Sequence, residues 1–266
     1  MKRSGLYRPT IEEAIEISGI ETLHPGGFAL TKRTAELAEL REGLTVLDVS
    51  SGRGTQSIFY AKEFGARVTG IDISGEMVRT AALNARQAEM DGKVQFRIGD
   101  SQNLPFEDNH FDVVINECAV GIPDDSQKVL TEMVRVAKPE GKILIHESTW
   151  REQLPKEEKT DFAERYGTTP LELTEWIAML EKAGITKIVY EFDQWSKPEM
   201  FWKIRKDREV KHWFFTMTIP EKLRTMKKIF HQYGAKGILT IMRNERVFYK
   251  TVLEGKLGYA LFKGEK

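Results

Sequence analysis

The stretch VLDVSSGRGTQS, residues 46–57, is an apolar run that closes on an acid, Asp48, then breaks into small residues before a helical pattern begins. Small residues at such a junction let the backbone turn tightly and let a ligand approach it closely. A P-loop would place a lysine after the last glycine of the turn, and none follows Gly54. A dinucleotide fingerprint reads GxGxxG, whereas the chain from Gly52 runs G-R-G-T-Q-S, so the third glycine is missing. Asp48 is also wrong for a pyrophosphate, which would meet a carboxylate where it needs bare N–H groups.

Outward from this turn the chain alternates β-rich runs with helical stretches. TVLDVS (45–50), ARVTGID (66–72), VQFRIGD (94–100), DVVINE (112–117), KILIHES (142–148) and TKIVYEFD (186–193) read as strands. Between them, TQSIFYAKEFG reads as a helix with Ile58, Ala61 and Phe64 on one face and Gly65 as its C-cap. Ser74 caps a helix running to about Glu89, another spans about Asp125 to Ala137, and LELTEWIAMLEKAG (171–184) is a third. This alternation predicts parallel βαβ units and a sheet covered on both faces. It stops at residue 197, where helical, aromatic-rich sequence precedes one late strand, GYALFKG (258–264). The expected organisation is a helical cap over 1–40, a core over 41–196, a helical insertion over 197–255 and a final strand of the core over 256–266.

Three successive strands end in an acid: Asp48, Asp72 and Asp100. Open α/β sheets bind ligands at this edge, and an acid about 20 residues past the glycine turn can take both ribose hydroxyls. Two charge-assisted hydrogen bonds there are worth roughly 1.5–3 kcal/mol each. A cofactor with no phosphate and a positive charge suits the set, and S-adenosylmethionine (SAM) fits with its ammonium, carboxylate and sulfonium.

The ordered motifs D-V-S-S-G-R-G, G-I-D-I-S-x-x-M, G-D-S-Q-N-L-P-F, F-D-V-V-I-N-E and E-M-x-R-V-x-K-P-x-G-K resemble those of class I SAM-dependent methyltransferases. The resemblance is dense over about 42–150 and is nearest to the ubiquinone/menaquinone and sterol methyltransferase group, which acts on small molecules. It implies a Rossmann-like α/β fold with a seven-stranded sheet in the order 3-2-1-4-5-7-6, the seventh strand antiparallel. It implies that Asp48 and the Ser50, Ser51, Gly52, Gly54 turn hold the methionine end of SAM, and Asp72 the ribose. Ile73 and Met77 would flank the nucleoside, and Asp100, Ser101 and Gln102 would meet the adenine, with Asn116 beside the sulfonium. S-adenosylhomocysteine would be the product. The family usually has glycine where Ser50 stands.

Candidate catalytic residues are Glu117 at the end of the fourth strand, His146 near the end of the fifth, and Tyr7 and His24 from the N-terminal cap. Strand alternation sends His146 and Glu147 to opposite faces. HPGG (24–27) forces a turn, read either as a helix connection or as a lid that brings Tyr7 and His24 to the site. No metal is expected. Cys118, the single cysteine, excludes an internal disulfide and a multi-cysteine metal site, and reads as a buried filler.

The 266 residues carry 40 basic and 40 acidic side chains, no apolar run reaches a membrane span, and the N-terminus lacks a signal-peptide core, so a cytoplasmic protein is expected. Residues 197–250 hold 14 Lys/Arg against 5 Asp/Glu, a net of +9, interleaved with aromatics such as Trp213, Phe214, Phe215 and Phe248. Leu223, Met226, Ile229, Phe230 and Tyr233 share one helical face, which favours a roof over a small, partly apolar acceptor. Rival readings are an anionic lipid surface, RNA bound by this insertion, and a SAM-binding protein without catalysis. Absence of NPPY after the fourth strand argues against methylation of nucleic-acid amino groups. The oligomeric state is not legible.

Overall fold

The computed structural model describes residues 10, 17, 24–202 and 219–266. Tyr7, most of the expected cap, and Trp213, Phe214 and Phe215 lie outside the described residues. Eight strands form one sheet: β1 (Thr45–Val49), β2 (Arg67–Asp72), β3 (Val94–Ile98), β4 (Phe111–Glu117), β5 (Ala137–Trp150), β6 (Leu171–Glu172), β7 (Thr186–Glu191) and β8 (Leu257–Glu265). Their order is β3-β2-β1-β4-β5-β8-β7, with β6 bonded to the end of β5. With β6 set aside this is the expected order, and β8 runs antiparallel to both neighbours.

Described helices are α1 (Gly27–Leu37), α2 (Thr55–Phe64), α3 (Gly75–Gln87), α4 (Ser126–Val136), α5 (Lys156–Tyr166), α6 (Leu173–Lys182) and α7 (Ile219–Leu253). Central strands are apolar without alternation because both faces are covered: Leu47 and Val49 join one core with α4 and α6, and Val46 joins the other with α1 and α2. Edge strands β3 and β7 are exposed over most of their length. The expected caps form, with Ser74 Oγ accepting from Met77 N and Gly65 closing α2 at φ 73°.

Three local expectations are corrected. The buried face of α2 is Ser57, Tyr60 and Ala61, while Ile58 and Phe64 are half-buried; the helix is turned so that hydroxyls face the strand ends. In α7 the apolar face read as a roof is split: Ile229 is buried, Met226 and Tyr233 are half-buried, and Leu223 and Phe230 are 67% and 57% exposed. The roofing is done by Phe201 and Phe248, which close on β8 and α5, with Tyr166 and Phe248 stacked at 4.7 Å. Gly234, at φ 66° and ψ −169°, divides α7 into the two expected helices. Cys118 is half-buried against this aromatic cluster and adopts φ 64°.

HPGG builds the start of α1. Gly26 sits at φ 80°, where a Cβ would lie 2.7 Å from Leu30 Cβ, and its N–H donates to the Met200 carbonyl at 2.7 Å. The turn clasps the segment over 198–202 to the N-terminal helix and carries His24 inward. Arg33 donates from Nε and Nη2 to Glu191 Oε1, at 2.9 and 2.6 Å, which holds α1 against the end of β7.

Candidate active site

Parallel register brings the ends of β1, β2 and β4 to one edge, with Asp48 opposite Gly70 and Ile115. The turn after β1 follows there. Gly54 has φ 76°, and a Cβ on it would stand 2.4 Å from the Phe96 ring and 2.9 Å from Ala81 Cβ, so only glycine lets α2 start this close to β3. Ser50 is at φ 63°, in the left-handed region. The glycine usual in the family fits this conformation freely, whereas serine is strained by roughly 1 kcal/mol. Ser50→Gly is accordingly expected to raise stability by about 1 kcal/mol and Tm by a few degrees in thermal unfolding. An unchanged or lower Tm would place the turn's strain elsewhere.

Asp48 is 2% exposed and accepts from Ser57 Oγ at 2.5 Å. Burial, with Glu117 and Asp72 adding repulsion, pushes its carboxyl up to about 7 against the Ser57 hydrogen bond and the His24 charge. Asp72 Oδ2 accepts from Gly52 N at 2.9 Å and Oδ1 from Ser74 N at 2.8 Å, tying the turn to the cap of α3. Asp100 Oδ1 accepts from Gln102 N at 2.8 Å, and Gln102 Oε1 accepts from Asp125 N. Ser101 is buried, Met77 is half-buried, and Ile73 is 74% exposed. Asn116 is fully buried with its amide engaged, donating to the Val49 carbonyl and accepting from Ala119 N, so it fastens β1 to β4. Ser51 Oγ is buried with no hydrogen-bond partner. A cofactor carrying a carboxylate and an ammonium fits this set, with the hydroxyl as donor and Asp48 as counter-ion.

Beside the cradle lies a second cluster. The Glu117 side chain is 3% exposed, with His24 Nε2 at 2.9 Å and His146 Nε2 at 3.3 Å from Oε2. Thr31 Oγ1 donates to the same oxygen at 3.0 Å, and the Tyr60 hydroxyl donates to Oε1. Burial drives the Glu117 carboxyl up, but the His146 and His24 imidazoles outweigh it and hold the group well below the usual carboxylate range. Burial pulls His146 down to about 4, so it is neutral near pH 7. Glu147 points the other way, as alternation requires, and accepts from Val120 N and Gly121 N at 2.7 and 3.2 Å. Burial raises its carboxyl to about 7. The structure therefore brings His24, Glu117 and His146 together. Thr31, Ser57, Tyr60 and Tyr259 complete the surroundings and were not picked out in the sequence.

An edge of strand-end acids around a glycine turn, on this strand order, defines a class I methyltransferase core. A family profile described as a methyltransferase domain matches residues 40–193, and the chain belongs to this family. Phosphoethanolamine N-methyltransferase 2 of Caenorhabditis elegans is 36% identical over 129 residues, which is 48% of this chain and 29% of that protein. Phosphoethanolamine N-methyltransferase 1 of Arabidopsis thaliana is 28% identical over 189 residues, 69% of this chain and 38% of that protein. The chain thus spans about a third of these relatives' length. Among solved structures, phosphoethanolamine N-methyltransferase 2 of Haemonchus contortus, holding phosphomonomethylethanolamine and S-adenosylhomocysteine, superposes with a TM-score of 0.73 at 21% identity, covering 97% of this chain and 58% of that one. The [4+2]-cyclase SpnF also gives 0.73 at 21% identity, covering 99% of each chain, so the fold alone does not fix the chemistry. The same fold in a second Haemonchus structure is occupied by SAM, the cofactor expected here. Among the described residues no helix is long and apolar enough to cross a membrane.

Proposed function

We propose that the chain is a SAM-dependent methyltransferase acting on a small acceptor that enters over Glu117 and beneath Phe201 and Phe248. The observation that carries this reading is the buried Asp48 carboxyl beside the glycine turn, which burial and the neighbouring Glu117 and Asp72 charges keep from ionising and which a cationic cofactor would relieve. When bound, SAM supplies an electrophilic methyl on a sulfonium, which passes to an acceptor lone pair and leaves S-adenosylhomocysteine.

The chain's own residues would position and screen. Asp48, Ser51 and the Gly52–Gly54 backbone hold the methionine end, Asp72 the ribose, and Asp100 with Ser101 and Gln102 the adenine. Ile73 and Met77 flank the nucleoside. Asn116 keeps the ends of β1 and β4 in register through its two backbone hydrogen bonds. In-line transfer gains most from such positioning, of order 7–11 kcal/mol in favourable cases. Glu117 orients the imidazoles that face the acceptor side, where an acceptor proton can be taken up. The resemblance to the ubiquinone/menaquinone and sterol group supports a partly apolar acceptor.

Asp72→Ala is expected to weaken SAM binding at least about tenfold in isothermal titration, from loss of charge-assisted ribose contacts. Unchanged binding would remove Asp72 from the cofactor site. Incubation with methyl-labelled SAM and a cell extract tests the acceptor class: label in the small-molecule or lipid fraction supports the reading, and label confined to RNA overturns it.

A further inference from the structure

The His24–Glu117–His146 cluster has a geometry of its own, independent of methyl transfer. His24 Nδ1 lies 2.9 Å from the Pro25 carbonyl oxygen, and a nitrogen on a carbonyl must carry the proton. His146 Nδ1 lies 2.7 Å from the Tyr259 hydroxyl, whose own proton goes to the His146 carbonyl at 3.3 Å. This nitrogen too is therefore the protonated one. Nε2 of each ring is then the atom that faces Oε2 of Glu117, with Thr31 Oγ1 beside His24 Nε2. His146 Nε2 is buried with no hydrogen-bond partner. Three electron-pair donors, all within 4.8 Å of one another, converge in a water-poor place with no protein hydrogen bond between the ring nitrogen of His146 and the carboxylate.

We propose that His24, Glu117 and His146 bind one divalent first-row transition-metal ion. A metal ion would displace the protons shared among these atoms and bond to all three. Bonds of about 2.0–2.2 Å set neighbouring ligand atoms about 3–3.5 Å apart, which matches the 2.9 and 3.3 Å contacts. Two imidazoles and one carboxylate suit zinc, iron(II), cobalt(II) or nickel(II) and disfavour magnesium and calcium, which prefer all-oxygen sets. The outer partners are also those of a metal site: a carbonyl on His24, a tyrosine hydroxyl on His146 and a second tyrosine hydroxyl on Glu117 Oε1 fix each ligand's tautomer and orientation. The Thr31 hydroxyl, 3.3 Å from His24 Nε2, stands at the rim of the remaining coordination positions.

The test uses the purified full chain, stripped with a chelator, dialysed, and titrated with Co²⁺ and Zn²⁺. Expected are one equivalent per chain, visible d–d absorption of the cobalt form, a raised Tm, and a Kd below about 10 μM. His24→Ala and His146→Ala should each abolish the cobalt spectrum. Tyr259→Phe, which leaves every ligand in place, should weaken binding roughly tenfold or more. Binding below a tenth of an equivalent, with no spectrum and no Tm shift, would overturn the proposal. SAM titration of the metal-free chain reports separately on the methyltransferase reading, so the two fail by different signals.

Discussion

Glu117→Gln is expected to lower turnover by about 100-fold or more while SAM affinity changes less than about threefold. The side chain is 3% exposed and its two oxygens meet His24, Thr31, Tyr60 and His146. Glutamine keeps the shape and removes the charge that orients both imidazoles. It replaces one oxygen with an amide NH₂, which cannot accept from whichever of the Thr31 and Tyr60 hydroxyls it meets. Affinity is protected by compensation: with Glu117 neutral, Asp48 loses a repulsive neighbour and ionises more readily. Alanine is the wrong probe, because stripping a buried charge cluster of its anion costs about 3–5 kcal/mol of stability and confuses folding with catalysis. Single-turnover transfer of labelled methyl, read beside calorimetric SAM binding, separates the two quantities. A rate equal to that of the unsubstituted protein would return Glu117 to packing.

Asp48 should make cofactor affinity pH-dependent. Its folded pKa is raised, from 3.8 to about 7, so the folded protein without cofactor holds a proton that the unfolded chain releases. Stability of that form therefore falls as pH rises from about 4 to 7 and is level above, a change of order 4 kcal/mol for the full shift. A cation arriving beside Asp48 reverses the balance: the carboxyl ionises and its proton leaves. SAM binding should strengthen by up to about tenfold per pH unit below pH 7 and flatten above it. Near pH 7 it should release roughly half a proton, seen as a buffer-dependent binding enthalpy. Asp48→Asn should lose that release and bind roughly 10–100-fold more weakly at pH 8. Equal affinity at pH 6 and 8, with no proton release, would separate Asp48 from the cofactor.

The proposed cofactor cradle is legible because it is contiguous: strand, turn and helix follow one another within VLDVSSGRGTQS, Asp72 ends β2, and Asp100 follows β3 by two residues. Sheet order came from the resemblance to class I methyltransferases; the alternation alone gives parallel βαβ units and not their order. The acceptor end was not legible as a unit, since His24, Tyr60, Glu117 and His146 come from a turn, a helix and two strands, and nothing local links them. Tyr60 was hidden by a specific error. Ile58, Ala61 and Phe64 make the more apolar stripe of α2, yet the helix buries Ser57 and Tyr60, whose hydroxyls are needed by Asp48 and Glu117. Satisfying two buried carboxylates outweighed burying one more isoleucine. The apolar face of α7 came out split between core and solvent, because amphipathic spacing says that a face is apolar, not which neighbour meets it.

The clasp between Gly26 and Met200 has a consequence for how such a protein can diverge. Every residue of the proposed nucleoside cradle lies in one unbroken stretch of chain, whereas the walls around Glu117 are supplied from before and after it and are fastened to each other by that backbone contact and by Leu30 packing with Phe201 and Phe248. Substitutions on either wall can reshape the acceptor chamber while the cradle stays untouched. Drift that loosens the clasp would be felt first at His24, as a loss of chemistry from a protein that still folds and still holds its cofactor.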